Sequence, residues 1–489
     1  MHRSLSREGL SVYEGFGGMQ DSGIDLSEFQ SQLAQDRCSR TMTFQKITRP
    51  SIARFCERSI SKLEKEQYNE SSPFLDIDNA CSILEKLNSD EMTTFLKNIT
   101  ICAEKNPKAM EPFLQSTEIP KQLSNALMSS TSDPIKILLL NTIAVLFPIS
   151  EQVQNVYIDE GICFTISEFL QSDSDDLILA SIGIIGVFSQ SSSYARDAVM
   201  CIDLHITLME IANTSKSTEI INASCESLSH MFENSEPIDA AILLRCVEPM
   251  TPLLNLESED ALQSVLVCFV DMTNQMSSII FSIFENNLYQ RIIELLPNPA
   301  LTSTVLRLIG NMSIAQPSQI SAMLKIGLFP SLIELLTTEF TADVYWVLSS
   351  FLMSVPQMMI TLFTPEFIDN TIEIAMYSSI GVKKEASYFL ATVIFFADDN
   401  LLNVLMKKDL ISVLIEMLNS DIVLITLRII DSLIRFINVL TKDPKINREF
   451  IQQLLDEDTK KILKKLEIGD QDLVVERVKF LETQIDLLK

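Results

Sequence analysis

The run Phe329-Pro-Ser-Leu-Ile-Glu-Leu-Leu336, a polar break, and then Ala342-Asp-Val-Tyr-Trp-Val-Leu-Ser-Ser-Phe-Leu-Met353 decide the fold. The first run reads as a short helix and the second as a longer, more apolar one. In the second, Val344, Leu348 and Phe351 recur at spacings of three and four, which puts them on one helical face. Asp343, Trp346 and Ser350 fall together on another. A single helix of this kind cannot bury its own apolar stripe, but stacking on a second copy does.

Copies are present along most of the chain. Long apolar segments comparable to Ala342–Met353 occur at Ile135–Phe147, Leu177–Ser189, Thr218–Phe232, Glu259–Thr273, Leu301–Ser313, Lys383–Phe395 and Val423–Ile437. Their starts are about 40 residues apart, the period of armadillo and HEAT repeats. With 12 Gly and 17 Pro in 489 residues, strand-and-turn architectures and Gly-rich doubly wound folds are disfavoured. The expectation is an all-α, right-handed superhelical solenoid of about nine to ten armadillo repeats over residues 76–489. The last segment, Asp456–Leu488, carries Lys460, Lys461, Lys464 and Lys465 among several acids, as a polar terminal cap requires.

Residues 1–75 differ from the rest. Apolar periodicity is poor, Pro50 and Pro73 interrupt any long helix, and the segment reads as a flexible arm. Its charge is divided: residues 1–36 hold two arginines against six acids, whereas residues 37–65 hold eight basic side chains against two acids. The chain as a whole carries a formal charge of −27, which repels nucleic acid and anionic membranes and favours basic partners. Nine scattered cysteines without a Cys-x-x-Cys pair read as reduced core residues, and only His2, His205 and His230 could serve a metal or a nucleophile. We find no phosphate loop, metal-ligand spacing or activated nucleophile, so neither an enzyme nor a cofactor is expected. No apolar stretch suits a bilayer span or a signal peptide, and the expected setting is intracellular.

Scattered segments resemble the importin-α family, the armadillo adaptors that link nuclear-localisation-signal proteins to importin-β. Arg196-Asp-Ala-Val199 resembles the segment after the family's second ladder helix. Val305-Leu-Arg-Leu-Ile-Gly-Asn-Met312 is similar to its fifth repeat, and Lys383-Lys-Glu-Ala386 to the opening of a later ladder helix. Ile429-Ile-Asp-Ser-Leu433 resembles the eighth repeat and Leu455–Phe480 the C-terminal one. Gly23-Ile-Asp25 with Glu28 resembles the entry to the importin-β-binding arm. The arginine block that follows in the family is Phe29-Gln-Ser-Gln-Leu33 here, which implies a weaker hold on importin-β.

The resemblance implies a concave binding face. In the family, a Trp-x-x-x-Asn array clamps an extended basic peptide: the amides hold its backbone, and the indoles hold its Lys and Arg stems. The corresponding N-terminal positions here read Leu140/Ala144, Ile182/Gly186, Glu226/His230 and Val267/Asp271, with Gln190 where an acid is expected. The C-terminal half keeps more of the array. Arg307 and Asn311 match a family pair, and Trp346 sits at a ladder position with Ser350 in place of Asn. Tyr388 and Thr392 replace the next pair, and Glu385 matches the family's acid. Periodicity alone favours Trp346 and Tyr388 as padding between repeats, with Arg307 paired to a local acid, whereas the family register places them on a concave surface. Glu226 and His230 read either as a groove pair or as a solvated face.

The resemblance therefore implies an adaptor for basic, nuclear-localisation-type peptides, working in the cytoplasm and nucleus. Importin-β at the arm and an export receptor at the C-terminal repeats are the implied partners. The alternative is a divergent armadillo scaffold that has lost cargo binding and serves other protein–protein contacts.

Overall fold

The computed structural model describes residues 77–486, apart from 88, 234–235, 421, 442–447 and 470. The expected flexible arm, residues 1–75, lies outside the described residues. Among the described residues ten helices stack in series, starting at residues 90, 133, 175, 218, 259, 302, 341, 380, 423 and 472. We number them α1 (Asp90–Lys105), α2 (Asp133–Leu146), α3 (Asp175–Ser191), α4 (Thr218–Met231) and α5 (Glu259–Gln275). The second half comprises α6 (Thr302–Met312), α7 (Thr341–Ser354), α8 (Ile380–Phe396), α9 (Val423–Leu440) and α10 (Asp472–Asp486). Each packs on the next in sequence order, and further helices connect them. This is an all-α solenoid of armadillo-type units, and the apolar segments read from the sequence fall in α2 to α9. No single described helix is long and apolar enough to cross a membrane.

Local chemistry sets the boundaries of these helices. Ser89, Ser174, Ser217 and Ser258 cap α1, α3, α4 and α5, each accepting a hydrogen bond from a backbone N–H in the first turn. Acids follow at once, at Asp90 and Glu91, Asp175 and Asp176, and Glu259 and Asp260, where the positive helix end stabilises them. Each cap contributes about 1 kcal/mol.

The short helices obey a second rule. Gly161, Asp203, Asn287 and Gly327 all have positive φ, and each immediately precedes the second short helix of its unit. A left-handed residue turns the chain sharply there, which suits Gly, Asn and Asp and few other residues.

Apolar side chains of successive inner helices make the core, from Leu96 and Ile99 through Leu308 and Ile309 to Val478 and Leu481. Buried hydroxyls lock the helices in register. Thr100 and Thr142 Oγ1 lie 2.9 Å apart, Ser227 Oγ donates to Ile182 O at 2.9 Å, and Ser432 Oγ donates to Ala391 O at 2.7 Å. The buried thiols of Cys163, Cys225 and Cys246 behave as core groups, with pKa values pushed up to about 11, 12 and 12 by burial.

Candidate inner-face site at α6 to α8

The register brings the seven residues singled out from the sequence onto three consecutive helices: Arg307 and Asn311 on α6, Trp346 and Ser350 on α7, and Glu385, Tyr388 and Thr392 on α8. Their surroundings differ from the exposed groove expected. All seven are buried, Trp346 at 4% exposure and Thr392 at 0%.

Trp346 explains much of this. Its six-membered ring lies directly on the backbone of Gly310, so that a Cβ built there would sit 2.1 Å from Cζ3. The guanidinium of Arg307 covers the ring at 4.8 Å from its centroid, while its Nη2 lies 3.6 Å from Asp343 Oδ1. Arg307, Gly310, Asp343 and Trp346 thus form one packed unit across α6 and α7. A guanidinium desolvated on an indole and beside a carboxylate combines cation–π attraction with charge pairing.

Asn311 is turned to structural work. Its Nδ2 donates to Thr273 Oγ1 at 3.0 Å and to Asn274 Oδ1 at 3.2 Å, tying α6 to the C-terminal end of α5. The hydroxyls of Ser350 and Thr392 donate back along their own helices, to Trp346 O at 2.9 Å and Tyr388 O at 2.7 Å. Tyr388 reaches toward α7, its hydroxyl 3.6 Å from Met353 Sδ. Aromatic side chains on α7 and α8 therefore each lean back on the preceding inner helix.

The N-terminal ladder positions are also closed. Leu140, Ala144, Ile182, Gly186, Val267 and Asp271 are buried, and Ser227 crowds Gly186 so closely that a Cβ there would lie 2.9 Å from its Oγ. Glu226 is half-buried and His230 buried, so these two do not form a solvated face.

Two features of the inner helices escaped the sequence reading. Gln263 Nε2 donates to Thr304 Oγ1 at 2.6 Å, linking the N-terminal parts of α5 and α6. Farther on, Arg428 stacks on Phe395 at 4.3 Å, Arg477 Nε lies 3.6 Å from Asp431 Oδ1, and Arg435 Nη2 donates to Ala397 O at 2.7 Å. Burial raises the pKa of Asp431, while Arg428 and Arg477 oppose the rise. The spacing Arg428-x-x-Asp431-x-x-x-Arg435, which puts the three on one face of a helix, was the available signal. Among the described residues, no three His, Cys, Asp or Glu side chains are placed to hold a metal ion.

No family model matches the chain, and no curated protein matches it. Solved structures do. An engineered protein aligns over 84% of this chain and 99% of its own, with a TM-score of 0.66 and 14% identity. A designed armadillo repeat protein aligns over 47% of this chain and 99% of its own, with a TM-score of 0.42 and 14% identity. A further designed armadillo repeat protein, in complex with the peptide (KR)4, covers 47% of this chain and 98% of its own, with a TM-score of 0.43 and 14% identity.

Proposed function

We propose that this chain is a protein-binding adaptor whose inner face, at α6 to α8, holds extended segments rich in Lys and Arg. The observation that carries this reading is the seat of Arg307, which lies over Trp346 at 4.8 Å and 3.6 Å from Asp343. An incoming arginine would need an aromatic face and a carboxylate, and this corner of the solenoid already accommodates a guanidinium by that chemistry. Glu385 and Tyr388 repeat the same residue types on α8, and the formal charge of −27 draws basic chains toward the surface. On this reading the chain is an importin-α-like carrier of nuclear-localisation-type segments, shuttling between cytoplasm and nucleus. Importin-β would bind its arm and an export receptor its C-terminal repeats. It binds and performs no reaction.

A second reading has its own support. The Asn311 amide is engaged with Thr273 and Asn274, and Arg307 itself covers the indole. That favours an armadillo scaffold using other surfaces. Titrating the full chain with a lysine-rich localisation peptide separates the two. The adaptor reading expects saturable binding that weakens with salt and is lost in Trp346→Ala. Absence of binding, with Trp346→Ala leaving every partner unaffected, selects the scaffold.

A further inference from the structure

The seam between the units of α7 and α8 differs from the four units that turn through a left-handed residue. Where Ser193–Cys201, Ser278–Glu285 and Pro317–Lys325 run eight or nine residues into a left-handed turn, the corresponding helix Pro356–Ile360 has five. The chain then passes through Thr361 to Thr364 and restarts at Pro365, with no positive-φ residue in the connection. The shortened helix leaves a cavity of about 370 Å³. Ile360 and Phe363 wall one side, Phe396 of α8 another, and Leu401 and Val404 of the helix Asp399–Leu405 a third.

The walls are preformed. The Phe363 ring packs 5.3 Å from both Phe367 and Phe389, which holds it at the cavity edge. At the rim Val404 is 49% exposed, and Asp398 is exposed, its Oδ1 accepting a hydrogen bond from Leu401 N. Among the lining residues there is no cationic side chain to answer that carboxylate. An apolar cavity of this size, open at a rim with one acid, matches a single chemical pattern.

We propose that this seam is a second docking site, taking one bulky aliphatic or aromatic side chain from a partner segment whose neighbouring residues are Lys or Arg. The apolar side chain fills the space left by the short helix, and the flanking cation faces Asp398. Pocket and rim divide the work as anchor and orienting charge. The site operates whether or not the inner face binds peptides.

The test uses the full chain with labelled Ile, Leu and Val methyl groups and the probe acetyl-Lys-Leu-Lys-amide. Saturable shifts are expected at Ile360, Leu401 and Val404, with a dissociation constant of about 1 mM, as suits a single anchor. Acetyl-Lys-Ala-Lys-amide and acetyl-Glu-Leu-Glu-amide should bind at least about tenfold more weakly. Val404→Trp, at a half-exposed position, should fill the mouth and abolish the shifts. Asp398→Asn keeps the helix cap, since Asn caps as well as Asp, and should reduce the preference for Lys over Glu. Absence of saturable shifts at these methyls, equal binding of the three peptides, or shifts that survive Val404→Trp would overturn the proposal.

Discussion

Replacing Gly310 by Ala tests the packing of the inner face through a change of sign. A methyl group at that position meets Trp346 Cζ3 at 2.1 Å and Cη2 at 2.2 Å, against 3.4–4 Å for ordinary contact. The ring must retreat by more than an ångström, yet it is 4% exposed and covered by Arg307. Overpacking of this kind costs about 1–3 kcal/mol. Removing a glycine from a helix interior returns about 0.5–1 kcal/mol. The clash is the larger effect, so Gly310→Ala should destabilise the chain by about 1–2 kcal/mol. Trp346→Ala alone should cost about 3–5 kcal/mol, because the cavity it leaves cannot fully collapse. In that background the clash is gone, and Gly310→Ala should stabilise by about 0.5–1 kcal/mol. Urea unfolding of the four proteins, followed by far-ultraviolet circular dichroism, reads the cycle. Unfolding of a solenoid need not be all-or-none, so the comparison is made on the transition that responds to Trp346→Ala. Trp346 is the only tryptophan, and its emission should move to longer wavelength in Gly310→Ala as the ring is pushed outward. The same sign for Gly310→Ala in both backgrounds would refute the packing described here.

Three further outcomes are expected. Asn311→Ala removes the donor held by Thr273 and Asn274 and should cost about 1–3 kcal/mol, with faster hydrogen exchange at the C-terminal end of α5. Burial holds the pKa of His205 below its ordinary value of 6.5, with Asp203 raising it and Arg245 lowering it in smaller measure. The unfolded chain therefore binds this proton more readily. Stability should fall as pH drops below 6.5 toward the folded value, and His205→Leu should flatten that slope. If residues 37–65 compete for the inner face, deleting residues 1–75 should raise affinity for basic peptides at low salt; unchanged affinity would make the arm a mere tail.

The solenoid was legible because its determinants are local. Polar breaks such as Ser174-Asp-Asp176 and Ser258-Glu-Asp260 both end one apolar run and cap the next helix, so the repeat shows in a single chain. The outermost helices were harder to see: α1 spreads Thr93, Thr94, Lys97 and Asn98 through its apolar pattern. The environment of the site was not legible for a different reason. Helical spacing puts Trp346 on a different face from Val344 and Leu348, but its exposure depends on what lies one repeat away. There a glycine at 310 lets the indole approach the backbone, and Arg307 closes over it. The amide of Asn311 likewise found its partners on α5. Side-chain identity can be read along one helix, whereas burial here is a property of three.

The most direct test of the adaptor reading is titration of the full chain with a lysine-rich peptide, monitored by Trp346 emission and peptide anisotropy together. An adaptor should show saturable binding that perturbs the indole signal, weakens as salt rises, and is abolished by Asp343→Asn combined with Glu385→Gln. An unperturbed indole with no change in anisotropy at low salt would contradict it.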